Sequence, residues 1–109
     1  MINRCYWITG LSASGKTTIS KILKKNLEEQ KQKVILLDGD NLREIFQHTE
    51  YDNKNRLKYS YTYSKLCEFL VKQNFNVIIS IGGLFHELHN WNRKNIPGYV
   101  EIFLDVPLE

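Results

Sequence analysis

Eight residues near the N-terminus constrain this chain more than anything else in it. Gly10-Leu11-Ser12-Ala13-Ser14-Gly15-Lys16-Thr17 reads G-x-x-x-x-G-K-[ST] without substitution. The run before it, Cys5-Tyr6-Trp7-Ile8-Thr9, is short, apolar and β-prone, and the run after it, Thr18 to Gln30, has helical spacing. Strand, glycine-rich turn and helix are the context in which this pattern cradles phosphate. Gly10 permits a sharp turn off the strand. Gly15 lacks a Cβ, so the backbone can approach a phosphate closely. Successive amides, from Ser12, Ala13 and Ser14 to Thr17 and Thr18, then line an anion cradle at the positive end of the following helix. Lys16 brings a mobile charge for the β- and γ-phosphates, and Thr17 a hydroxyl for Mg²⁺.

A second site element follows the next apolar run. Val34-Ile35-Leu36-Leu37 suits a strand buried on both faces of a parallel sheet, and it ends in Asp38-Gly39-Asp40-Asn41. Two carboxylates therefore sit just past the carboxyl end of a central strand, where open α/β sheets bind ligands. Beside a phosphate loop, that is where Mg²⁺ and a base are needed. The plainer role for this cluster is a cap, from Asp40 or Asn41, on a helix over Leu42–Gln47.

The remaining pattern fixes the fold class. Ile19, Ile22, Leu23 and Leu27 form an apolar helical stripe, and Leu57, Tyr61, Ser64 or Lys65, Leu66, Phe69 and Leu70 a helix of moderate amphipathicity. Residues 48–58 read as a loop or helix start, and 84–95 as a helix. Val77 to Ile81 and Tyr99 to Leu104 are further strands, with Gly82-Gly83 after the former allowing close approach of a ligand. The order β-α-β-α-α-β-α-β implies an α/β fold: a three-layer α/β/α sandwich with a parallel sheet of about four strands, in a single domain over residues 1–109.

Composition bounds the partners. The 109 residues are 42% hydrophobic and 25% charged, as in globular proteins, and the net charge of +3 is too mild to argue for nucleic acid. No run reaches transmembrane length. Cys5 and Cys67 lack C-x-x-C spacing and read as small core residues in a reducing, cytoplasmic setting. Tyr59, Tyr61 and Tyr63 read as packing residues, with stacking on a base as the alternative, and His86 and His89 as solvated helix surface rather than metal ligands. No Asn-Lys-x-Asp element is present to read guanine.

The phosphate loop, together with Leu37-Asp38-Gly39-Asp40-Asn41-Leu42-Arg43 and Glu101-Ile102-Phe103-Leu104-Asp105-Val106-Pro107-Leu108, resembles the signatures of the adenylyl-sulfate kinases over nearly the whole chain. The resemblance implies transfer of the γ-phosphoryl of MgATP to the ribose 3′-hydroxyl of adenylyl sulfate. It implies that Lys16 and the loop amides hold ATP and that Thr17 and Asp38 serve the metal. Asp38 would be the catalytic carboxylate, with Asp40 in support, and Asn41 and Arg43 would face the acceptor nucleotide. The family's next helix carries further basic residues. Here Arg56-Leu57 and Ser60-Tyr61-Thr62-Tyr63 stand in their place, leaving Arg56 as the substitute and a modified cytidine diphosphate as the alternative acceptor. A nucleotide-binding module without useful catalysis is the other reading. The family continues into a basic lid, whereas this sequence ends at Glu109. The expectation is a chain cut short, binding nucleotide with weak turnover, and a homodimer stays open.

Overall fold

The computed structural model describes residues 2–10, 15–82 and 85–104. Ser12, Ala13 and Ser14, Gly83-Leu84 and the Asp105–Glu109 run lie outside the described residues. Four apolar runs pair as one sheet: β1 (Cys5–Gly10), β2 (Val34–Asp38), β3 (Asn76–Ser80) and β4 (Tyr99–Leu104). Their order is β2-β3-β1-β4 and every pair is parallel. The helices are α1 (Lys16–Glu29), α2 (Gly39–Phe46), α3 (Asn53–Lys72) and α4 (His86–Asn95). The alternation of strand and helix read from the sequence is the one observed. Among the described residues no helix is long and apolar enough to cross a membrane.

The two-residue period of a strand divides the core in two. Ile8 and Ile78 point to one face, where Ile19, Leu23 and Leu27 of α1 cover them. Cys5, Trp7, Val77 and Ile79 point to the other, against Leu42 of α2, Tyr63, Cys67 and Val71 of α3, and Leu88 of α4. The three-layer sandwich is thus α1, sheet, and α2–α4. Ile78 and Ile79, fully buried on opposite faces, tie both layers to β3; each such side chain contributes about 1.5–3 kcal/mol.

Connectivity places the binding crevice. The α1 crossover from β1 runs over one face to β2, beyond β3. The α4 crossover from β3 runs over the other face to β4, beyond β1. Neighbouring strands β1 and β3 therefore send their chains in opposite directions, and a crevice opens at their carboxyl ends.

Several details differ from the sequence reading. β2, read as a central strand buried on both faces, is an edge strand whose residues are half-buried, because among the described residues only β3 pairs with it. The buried side of α3 is Ser60, Tyr63, Ser64, Cys67 and Val71, whereas Phe69 is 59% exposed. Small side chains let this helix lie close to the sheet, so the buried stripe is not the most apolar one. On α1, Ile22 is likewise exposed. Helix α2 begins at Gly39 and is capped by Asp38, not by Asp40 or Asn41. His89 is buried rather than solvated. Its Nδ1 lies 2.8 Å from the Tyr99 hydroxyl and 3.4 Å from a Glu101 carboxylate oxygen, and Arg93 holds Glu101 at 2.7 Å. Cys5 and Cys67 are free and buried, as expected.

Burial is the main cause holding the His89 pKa below 6.5, with Glu101 opposing it. The unfolded chain takes up that proton near pH 6.5 and the folded chain only at lower pH. Stability is therefore full above 6.5 and falls as pH drops below it. Urea midpoints measured across pH 5–7 will decline toward acid, and His89→Phe will flatten that slope. It will not abolish it, because the His48 pKa is lowered too.

Candidate active site

The phosphate loop leaves β1 at Gly10 and enters α1 at Gly15, whose φ of 94° is left-handed backbone that favours glycine. Among the described residues no side chain caps α1, and its first turn carries no acidic residue, so the positive end of the helix is open to an anion. Lys16 reaches back, its Nζ donating to the Gly10 carbonyl at 2.6 Å. That holds the ammonium at the mouth of β1. Ser20 steadies the first turn by donating to the Lys16 carbonyl at 2.7 Å.

Asp38 ends β2 directly opposite Ser80 of β3, which is itself opposite Ile8 of β1. At the usual spacing between strands Asp38 stands roughly 10 Å from Ile8, two residues before the end of β1. The gap suits a terminal phosphate and an incoming oxygen. Asp38 Oδ1 accepts from the Asp40 amide at 2.8 Å, which caps α2 and fixes the carboxylate, leaving Oδ2 for other work. Gly39 makes this approach feasible. A Cβ there would lie 3.1 Å from Ile81 Cγ1 and 3.2 Å from the Ser80 carbonyl.

One cavity of about 250 Å³ gathers Lys16, Thr17, Asp38, Asp40, Arg43 and Arg56, with Ser80, Ile81 and Gly82 as its floor. Its cations differ in their commitments. Arg43 is paired with Asp40 at 2.6 Å, and its guanidinium lies 5.0 Å from the centre of the Tyr51 ring. Arg56 is half-buried and its guanidinium has no carboxylate partner among the described residues, so it offers an uncompensated charge to the cavity. Asn41 lies elsewhere, lining an adjoining cavity of about 310 Å³ with Thr17, Lys21 and Asp38. Thr18 is exposed and lines neither. Thr17 and Asp38 line both cavities and are hard oxygen donors of the kind Mg²⁺ takes alongside phosphates and water. Among the described residues no three His, Cys, Asp or Glu converge as a metal cage.

Three features of this region were missed by sequence reasoning. The cap role of Asp38 is one. The contact between Arg43 and Tyr51 is another; it spans a loop and leaves no local signal. The third is a set of rings. Tyr59 and Tyr63, one turn apart on α3, both meet His48, whereas Tyr61 turns away to Trp91. Spacing of four residues along a helix was the available sign.

With the geometry in place, comparison with known proteins is decisive as to family. The Adenylylsulphate kinase family profile matches residues 3–109. The chain belongs to that family. It is 39% identical over 99 residues to the cytidine diphosphoramidate kinase of Campylobacter jejuni, covering 91% of this chain and 58% of that protein. It is 31% identical over 104 residues to a probable adenylyl-sulfate kinase of Archaeoglobus fulgidus, covering 94% and 67%. Among solved structures, the Mycobacterium tuberculosis APS kinase CysC in complex with AMPPNP and APS superposes with a TM-score of 0.87. That match has 26% identity and covers 98% of this chain and 65% of that one. The chain thus spans a little over half the length of the Campylobacter relative.

The close seat of α2 on β3 gives a direct test of this geometry. Gly39→Ala should lower stability by about 1–3 kcal/mol in urea unfolding, since Ile81 and the Ser80 carbonyl must give way. An unchanged midpoint would mean that the two elements are not in this contact.

Proposed function

We propose that this chain carries the catalytic centre of an ATP-dependent kinase that phosphorylates a hydroxyl of a small nucleotide. The observation that carries this reading is the cavity at the strand ends. There a phosphate-loop lysine, the strand-end carboxylate of Asp38, Asp40 in the first turn of α2 and two arginines line one space. Phosphoryl transfer asks for little else: positioning, neutralised charge and a group to take the hydroxyl proton.

In this reading Lys16 and the α1 amides hold the β- and γ-phosphates. Thr17 and Asp38 would hold Mg²⁺, which would supply neutralisation of the triphosphate charge. Asp38 Oδ2 receives the proton as the acceptor oxygen bonds to the γ-phosphorus and the bond to ADP breaks. The cap bond to Oδ1 keeps the carboxylate aimed during that transfer. Arg43 and Arg56 hold the acceptor's anionic groups, and Asp40 restrains Arg43. Asn41, on the other side of Asp38, borders the metal side rather than the arginines.

Two acceptors compete. Family membership supports adenylyl sulfate. The 39% identical relative supports a cytidine diphosphate derivative such as cytidine diphosphoramidate. We favour the second, because α3 carries Ser60 and Tyr63 next to Arg56 where the adenylyl-sulfate signature has further arginines. Lys58, also on α3, does not replace a planar arginine contact.

Asp38→Asn keeps the ability to cap α2. It should lower acceptor-dependent ADP release by about 100-fold or more while leaving the affinity for ATP measured without Mg²⁺ nearly unchanged. Undiminished turnover would remove Asp38 from the proton transfer. A wild-type chain that binds ATP but shows no acceptor dependence with either nucleotide would reduce the proposal to a binding module.

A further inference from the structure

Beside the phosphate cavity lies a larger recess of about 640 Å³, and the two share Asp40 and Arg43. Its outer wall is the polar segment 47–52 that joins α2 to α3. The His48 imidazole anchors that segment to α3. The His48 ring stacks on Tyr59 with centroids 3.9 Å apart and planes 6° apart, and Phe46 flanks it at 5.5 Å. Its Nδ1 is 2.8 Å from the Tyr63 hydroxyl. Its backbone amide donates to the Arg43 carbonyl at 2.8 Å, just after Gln47 closes α2 in a left-handed conformation. The Tyr59 hydroxyl also accepts from the Glu50 amide at 3.2 Å, so the same tyrosine grips the segment twice.

We infer that His48 is a positioning residue for the acceptor nucleotide: by docking segment 47–52 onto α3, it holds Arg43 and Tyr51 at the wall of the recess beside the phosphate cavity. The inference rests on the nucleotide-kinase reading above. His48 does not touch the reacting atoms. It acts through Arg43, whose carbonyl it engages, and through Tyr51, which lies three residues along the docked segment and under the Arg43 guanidinium. Burial and the Lys58 charge both favour the neutral ring, and a neutral ring stacks on Tyr59 without repelling Lys58.

The test is calorimetric titration of the chain with AMPPNP, and then with cytidine diphosphoramidate or adenylyl sulfate in the presence of AMPPNP. His48→Ala should weaken acceptor binding about tenfold or more, with AMPPNP affinity held within about twofold. His48→Phe keeps the stack and loses the hydrogen bond, and it should recover part of that loss. Tyr63→Phe, which removes the same bond from the other side, should match His48→Phe. Equal weakening of AMPPNP and acceptor would make His48 a merely structural residue and overturn the inference, as would unchanged acceptor binding in His48→Ala. Should His48→Ala not fold, His48→Phe and Tyr63→Phe decide the matter by the same split. A wild-type chain that binds AMPPNP but neither acceptor overturns the acceptor reading itself, and this inference with it.

Discussion

The parallel register of β1 and β2 on β3 is the constraint on which the rest of the molecule depends. It sets Ile8, Ser80 and Asp38 in one row across three strands, so the loop after β1 and the carboxylate after β2 open onto the same crevice. A shift of one residue in β2 would turn Asp38 to the opposite face and move Leu36 and Leu37 between the two cores. The hydrophobic layers on both faces therefore specify the position of the reactive group. Packing on β3, the strand both cores share, is what the chemistry rests on.

Asp38 joins structure and function in one side chain. One oxygen satisfies an orphan amide at the start of α2, a bond that also orients the carboxylate. Placing that helix start against β3 requires a residue without a side chain, which Gly39 supplies. Lys16 and Arg56 line the same cavity as this negative group, while Arg43 is divided between Asp40 and the Tyr51 ring. Among the described residues one guanidinium is engaged and the other has no carboxylate partner, an arrangement that suits an anion arriving from outside. Arg56 can meet it at once, and Arg43 is already held near its place.

Much of this was legible in the sequence because the signals are local. The glycine-rich turn carries its own context, and the alternation of apolar runs with helical stripes gives the layers. Asp38 was found as a site residue because it follows a buried-type strand. Its cap role was not, since three neighbouring side chains could each cap a helix and only the seat of Gly39 on Ile81 decides among them. The buried side of α3 was misplaced because closeness to the sheet selects serine and cysteine over Phe69. His89 was misread because the partners that make its burial tolerable, Tyr99 and Glu101, come from another element. Arg56 was reached through resemblance; what brings it beside Lys16 is the docking of α3, which no short window of sequence records.

The most direct examination of this account is a crystal structure of the chain with Mg²⁺ and a non-hydrolysable ATP analogue. The account predicts the triphosphate along the α1 N-terminus, Lys16 released from the Gly10 carbonyl onto the phosphates, and Asp38 Oδ2 facing the γ-phosphoryl group across the cavity shared with Arg56. A nucleotide bound elsewhere, or a γ-phosphate separated from Asp38 by the body of α2, would contradict it.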